Sequence, residues 1–408
     1  MGLLKLYINS YRGLSSESWM LAIVMLINRA GSMVLPFLGV YMTDYLGFKL
    51  ETAGLVLSCF GLGSVMGSWL GGLLTDKIGE FKTQYISLFL SVPVFCLMPF
   101  FITETSLAII IFIQSTISEM FRPANSVAIT KYAKKGNLTR SFSLNRMAVN
   151  LGFSIGPALG GILSAISYDF LFYSNATAAL FAGITYVFFF SKRNQIEKKQ
   201  KKKIQSKTTS PYKDKKFIQF ALLCLIFSVC FFQLLNTLTI FYKVEAGLSQ
   251  QQIGYILGYS GLFIVLTEML LVQFAENKMK LRVVLLLGSI FAGFSFAMLG
   301  WWQSLPILFL SITILSIGEI WAFPFMSSVT ALRSGIGNQG AYMGLLGIGF
   351  SVSFIITPFL GTYIAQEFGF KTLWLGTGSL LTLSGIGFYF LIPELIKKDK
   401  INSSENHF

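Results

Sequence analysis

The chain has 408 residues, of which 54% are hydrophobic and 12% charged, with a mean hydropathy of +0.66 and a formal net charge of +14. This composition excludes a soluble globular protein. The positive charge reads as a topology signal and an attraction to anionic membrane lipid, so no nucleic-acid partner is expected.

Hydrophobic runs, taken in chain order, predict twelve helical spans at 19–41, 51–74, 83–102, 106–130, 142–166, 169–191, 217–241, 251–274, 281–302, 306–329, 340–365 and 370–393. Each holds about 20 residues or more, enough to cross a ~30 Å hydrocarbon core as helix. The first span carries Arg29 and is too long for a signal-peptide core, so it is expected to be retained. The fold class is therefore an all-α membrane protein. Of 32 Lys and Arg residues, 26 lie at the N-terminus, in the even-numbered loops or at the C-terminus, including Lys77, Lys82, Lys131, Lys134, Lys135, Arg140, Lys278, Arg282, Arg333 and Lys397. The odd-numbered loops hold only Lys49, Lys243 and Lys371, and Arg29, Arg122 and Arg146 fall inside spans. The positive-inside rule then puts both termini in the cytoplasm and the chain in the cytoplasmic membrane. Cys59, Cys96, Cys224 and Cys230 all fall in spans and read as small buried apolar residues.

One long hydrophilic stretch, 192–216, divides the spans six and six. Eleven lysines and arginines against Glu197 and Asp214, with no apolar period, predict a linker that is disordered or lies on the lipid surface. The division is 1–191, a bundle of six helices; 192–216, a basic cytoplasmic linker; 217–393, a second bundle of six; and 394–408, a cytoplasmic tail. The halves echo each other. At a shift of 200 residues Gly47, Gly54, Gly61, Asp76 and Lys82 meet Gly247, Gly254, Gly261, Glu276 and Arg282. At 201, Pro123, Pro157 and Gly160 meet Pro324, Pro358 and Gly361. Such an ordered series indicates an internal duplication, the arrangement in which two similar halves rock about a central site.

The segment Gly72-Leu73-Leu74-Thr75-Asp76-Lys77-Ile78-Gly79-Glu80-Phe81-Lys82, read as the loop after the second span, resembles the signature of the major facilitator superfamily. A degenerate copy, Glu276 to Arg282, sits at the equivalent place in the other half. The resemblance covers the whole chain and implies the major facilitator fold, twelve transmembrane helices in two six-helix bundles. Gly72 permits a close helix approach and Gly79 a tight turn. Asp76 can cap a helix or pair with a cation at a cytoplasmic gate. Gly72, Asp76, Lys77, Gly79, Lys82, Glu276 and Arg282 are the candidate gating residues. Glu80 stands where that signature has a basic residue.

Gly63, Gly67 and Gly71 in the second span form a stripe suited to close helix packing. Gly152-Phe153-Ser154-Ile155-Gly156 matches a nucleophile elbow by letter. It lies in a membrane span, and the one histidine is His407 in the tail, so hydrolase chemistry is excluded and no enzyme is expected. The stretch from Asn150 to Gly161, with Pro157, resembles instead the bendable fifth helix of the superfamily. No cofactor or metal is called for, and no P-loop suggests ATP drive.

Six ionisable side chains, Arg29, Glu119, Arg122, Arg146, Glu268 and Glu319, fall within spans, where each costs at least ~2.5–3.5 kcal/mol. Glu119 and Arg122 are three apart on one helix face and can pair. Arg29 and Glu319 have no oppositely charged neighbour on their own spans and lie in opposite halves. Phe121-Arg122-Pro123, Asn150-Leu151-Gly152, and Gly318-Glu319 with Pro324 resemble helices of proton-coupled oligopeptide transporters. That resemblance implies that Arg29 and Arg122 engage a substrate carboxylate and Glu319 an amine. Met25 and Asn28 stand where that family has acidic residues, and Arg146 where it has a tyrosine. Gly340-Ala341-Tyr342-Met343-Gly344 resembles drug-proton antiporters of the superfamily.

The expectation is secondary active transport of a small organic solute, zwitterionic or peptide-like, by a monomer in membrane lipid. The alternatives are a drug-type proton antiporter and a non-transporting receptor or scaffold. The expected substrate-binding residues are Arg29, Arg122, Asn150, Glu319, Tyr41, Trp321 and Tyr342, and the expected proton-coupling carboxylates are Glu119, Glu268 and Glu319. The rival account pairs Arg29 permanently with Glu119.

Overall fold

The computed structural model describes residues 3–200, 209–335 and 337–403; Lys201, Lys202, Lys203, Lys207 and His407 lie outside the described residues. Regular structure among them is helical throughout. Helices long and apolar enough to span a membrane are α1 (Ser16–Tyr45), α2 (Glu51–Ile78), α3 (Glu80–Phe100), α4 (Glu104–Tyr132), α5 (Leu138–Ser164), α6 (Asp169–Arg193), α7 (Lys215–Val244), α8 (Gln250–Lys278), α9 (Leu281–Leu299) and α10 (Leu305–Ser334). A final stretch, Gln339–Ile396, turns at Gly369 (φ 81°), which divides it into α11 (339–368) and α12 (370–396). Both six-helix bundles are thus present. A short helix, Leu3–Tyr11, precedes α1 and rests against α8.

Several helices run further toward the basic end than hydrophobicity predicts. Helix α2 continues through Asp76 to Ile78, so Gly72 to Ile78 is helix rather than loop, and the chain turns only at Gly79 (φ 90°). The reason is cooperative: once a helix is nucleated, polar residues at its end still gain a backbone hydrogen bond each. The helix containing α6 likewise continues to Gln200, into the stretch read as a linker. Of residues 209–216, Pro211 and Asp214 are buried and the others are exposed or half-buried. Asp214 caps α7 through the Phe217 N–H and holds Arg333 of α10 in two hydrogen bonds of 2.8 and 3.0 Å. Tyr342 of α11 donates to the same carboxylate at 2.8 Å. Burial alone would raise the Asp214 carboxyl, but the Arg333 and Tyr342 hydrogen bonds and the Arg333 charge outweigh it and hold it below its ordinary value.

Small residues set the helix contacts. A Cβ on Gly63 would stand 2.5 Å from the Phe112 carbonyl, and one on Gly71 2.6 Å from that of Met120, so the α2 stripe seats α4 at backbone distance. A second stripe, Gly152, Gly156 and Gly160 of α5, faces α1. In the second bundle a phenylalanine-rich core of Phe217, Phe220, Phe227, Phe231 and Phe296 is buried.

Cross-bundle contacts run from mid-span to the basic end. Ser64 of α2 bonds Ser351 of α11 at 2.7 Å, Ser328 of α10 donates to Thr139 of α5 at 3.0 Å, and Arg140 pairs with Glu276 at 3.2 Å. Helix α5 records the asymmetry along its length. Residues 141–144 are buried on every side, whereas from Ala148 onward burial is confined to Ala148, Gly152, Gly156 and Gly160. The bundles are closed at the basic end and part toward the other.

Candidate functional site: two ion clusters between the bundles

Three helices are interrupted near mid-span. The first segment of α1 ends at Ala30, immediately after Arg29; α4 breaks at Met120, between Glu119 and Arg122; α7 breaks over Phe232–Asn236. Irregular backbone at membrane depth is tolerated where protein or a cavity meets it, and the α1 and α4 breaks bring charged side chains to the bundle interior.

The first cluster lies wholly in the N-terminal bundle. Glu119 takes Arg122 at 2.8 Å and Arg29 at 3.7 Å. Arg29 is held there by α5: a Cβ on Gly152 would come within 2.6 Å of the Arg29 Cβ, and the guanidinium lies over Phe153 at 5.7 Å. Two guanidiniums share one carboxylate. The Arg122 side chain keeps 28% of its surface exposed, against 13% for Arg29. Arg29 Nε and Asn150 Nδ2, both donors, are buried without a protein partner.

The second cluster crosses the interface. Arg146 of α5 donates from Nε to Glu268 of α8 and from Nη1 to Glu319 of α10, each at 3.0 Å. Ser143, one turn earlier on α5, donates to the same Glu268 oxygen at 2.9 Å. The guanidinium faces the Phe323 ring at 5.6 Å. Glu268 is fully buried, and Glu319 nearly so. Here one guanidinium serves two carboxylates, and Glu268 Oε2 and Arg146 Nη2 remain without partners. Because 3.6 residues make a turn at 1.5 Å each, Arg146 and Gly152 lie about 9 Å apart along α5. One helix therefore presents both clusters.

Among the sequence-predicted site residues, the structure joins Arg29, Glu119 and Arg122, and separately Glu268 and Glu319. Asn150 lies on α5 between the clusters. The other three lie elsewhere. Tyr41 packs among Tyr45, Tyr168 and Phe172 toward the opposite end. Trp321 stacks on Phe291 and donates to the Leu271 carbonyl inside its own bundle. Tyr342 is buried at the basic end on Asp214. Arg146 is the residue that sequence reasoning left without a role. The available signal was two carboxylates lacking local cations in one half and an arginine lacking a local acid in the other.

The residues expected at a gate divide similarly. Both Asp76 oxygens accept backbone N–H groups at the start of α11, Gly340 at 2.7 Å and Ala341 at 2.8 Å, so Asp76 is a cap across the bundles and holds no cation in these bonds. Gly72 makes room for it, since a Cβ there would lie 2.6 Å from the Gly340 carbonyl. Glu276 bridges to Arg140. Lys77 and Lys82 are exposed, and Arg282 lies over Tyr389 of its own bundle. Glu80 pairs with Lys131 of α4.

The family model of the Major Facilitator Superfamily matches residues 20–282 and 246–407. The chain is 26% identical over 392 residues to the uncharacterized MFS-type transporter YttB of Bacillus subtilis (strain 168), covering 93% of this chain and 96% of that one. It is 25% identical over 224 residues to the quinolone resistance protein NorA of Staphylococcus aureus (strain MRSA252), covering 52% and 55%. Among solved structures, the fold matches the human organic anion transporter MFSD10 (TM-score 0.74, 15% identity, 91% of this chain and 98% of that one). It matches equally a bacterial homologue of the iron transporter ferroportin in an outward-facing state (0.74, 14%, 92% and 99%). A POT family transporter bound to 5-aminolevulinic acid follows (0.63, 17%, 94% and 98%). These structural likenesses speak to the fold alone. Twelve spans in two bundles, a helix-capping Asp76 in the signature segment and a family match along nearly the whole chain make this protein a multi-pass membrane transporter of the major facilitator superfamily.

Proposed function

We propose that the protein is a secondary active transporter of a small organic solute, coupled to protons and working by alternating access in the cytoplasmic membrane, with both termini and the 192–216 segment on the cytoplasmic side. The observation that carries this reading is the pair of ion clusters at membrane depth, one inside the N-terminal bundle and one crossing to the other bundle. A scaffold has no use for six ions at membrane depth, each costing at least ~2.5–3.5 kcal/mol. In this reading Arg29, Arg122 and Asn150 receive the anionic group of the solute, because Arg29 Nε and Asn150 Nδ2 are donors without protein partners. A cationic group of a zwitterion competes with Arg146 for Glu319. Of Glu119, Glu268 and Glu319, the last two, which meet their cation across the interface, are the carboxylates that take protons in this reading. Positive-inside orientation makes the basic end cytoplasmic and the present arrangement outward-facing.

Flux into proteoliposomes, driven and undriven by a pH gradient, tests the reading. Uptake that follows the gradient is expected; uptake indifferent to it removes the proton, and no uptake of any solute class returns the scaffold. A thermal-shift screen of dipeptides, amino acids and lipophilic cations identifies the class first, since a specific ligand raises apparent stability by mass action. A second reading, a drug-type proton antiporter, is favoured by the relationship to NorA, and hits confined to lipophilic cations would select it.

A further inference from the structure

Glu268 and Glu319 belong to the C-terminal bundle, yet the cation that pairs with both among the described residues, Arg146, belongs to the N-terminal one. Every group facing this pair follows the same division. From α5 come Arg146 and Ser143, with Arg140 two turns nearer the basic end and engaged by Glu276. From the helix Leu3–Tyr11 comes Tyr11, whose phenol is pushed up by burial, by Tyr7 and by the charge of Glu268. On α10 the neighbour is Glu319 itself, and neither α8 nor α10 contributes a cation at this level. The basic end therefore cannot open without withdrawing Arg146 from both carboxylates at once. Two carboxylates would remain side by side in one bundle, beside the Phe323 ring that now faces the guanidinium. Two carboxylates left together without a cation repel one another, and protons relieve that repulsion.

We propose that Arg146 is the positioning residue that links bundle separation to proton uptake, and that opening of the basic end draws one proton onto Glu268 and one onto Glu319. This rests on the proton-coupled reading above and assigns it a residue, a direction and a stoichiometry. Protons arrive as Arg146 leaves and depart when it returns, so acidification favours the form open at the basic end. The Arg29, Glu119 and Arg122 cluster, all within one bundle, stays intact throughout.

The test needs no solute, so it succeeds or fails independently of whether flux follows a pH gradient. Spin labels at Lys135→Cys and Lys278→Cys, two exposed basic-end positions in opposite bundles, report separation by electron double resonance in nanodiscs, with the four native cysteines replaced by serine. Each proton taken up on opening changes the open-to-closed ratio about tenfold per pH unit. Wild type is expected to change about a hundredfold per unit, E268Q and E319Q about tenfold, and the double variant not at all, staying open at every pH. Arg146→Lys, which keeps the charge but cannot hold both carboxylates through one fork, should shift the transition toward higher pH with the slope retained. A wild-type ratio that ignores pH, or slopes equal in wild type and single variants, overturns the proposal. So does a double variant that still titrates.

Discussion

The two ion clusters are built from the same residue types and are both presented by α5, but they differ in what they cross. Arg29, Glu119 and Arg122 come from α1 and α4 of one bundle, with α5 of the same bundle packed behind Arg29. Arg146, Glu268 and Glu319 come from both bundles, and the cation and the anions are on opposite sides of the interface. Rigid-body rocking leaves the first cluster unchanged and must break the second. An ion pair inside a moving body is structural or ligand-binding; one between bodies is conformational. The charge ratios are opposite as well, two cations to one anion against one to two. The first cluster is thus short of negative charge and the second short of positive charge, which suits a solute anion at one and protons at the other.

The largest test of this contrast is Glu119→Gln. It leaves Arg29 and Arg122 unpaired inside one bundle, where loss of one partner of a buried pair costs about 3–5 kcal/mol. A lowered melting transition with unaltered basic-end opening is the expected result. A change in opening with unaltered melting would mean that the first cluster also senses the bundle interface. Gly152→Leu probes how that cluster is placed. The new side chain must enter the space of the Arg29 Cβ, and overpacking of this kind costs about 1–3 kcal/mol. Loss of ligand-induced stabilisation should accompany the lower melting point, because Arg29 is displaced with α1; an Ala variant with milder loss of both would confirm the steric cause. The smallest effect concerns Asp214, which joins parts of one bundle only. Its carboxyl lies below its ordinary value in the folded protein, so its contribution is present at neutral pH and is lost as pH falls through that depressed value. Stability measured against pH should fall more steeply on the acid side in wild type than in Asp214→Asn, with bundle opening the same in both. Equal acid limbs would show that Arg333 and Tyr342 hold the segment without this charge.

Much of the site was legible in the sequence as an inventory. Six ions inside hydrophobic spans are conspicuous because insertion penalises each, and the pairing of Glu119 with Arg122 follows from a three-residue spacing on one helix. That Asp76 can cap a helix followed from the signature segment, although the helix there runs on to Ile78 and the helix it caps belongs to the other bundle. Tyr41, Trp321 and Tyr342 were harder, since an aromatic in a span is equally suited to a cavity wall or a bundle core, and rotation about the helix axis decides which.

By itself the sequence determined the number of spans, their division into two similar halves and the concentration of positive charge at one end. Those properties depend on local hydrophobicity, chain periodicity and charge, each summed over a short window. Only the tertiary structure decided that Arg146 reaches Glu268 and Glu319, that Asp76 caps α11 rather than taking a cation, and that the bundles close at the basic end. Those partners are separated by 122, 173 and 264 residues along the chain. A buried charge must find a partner, but which one it finds depends on how the bundles pack, and a single sequence contains no local term for that.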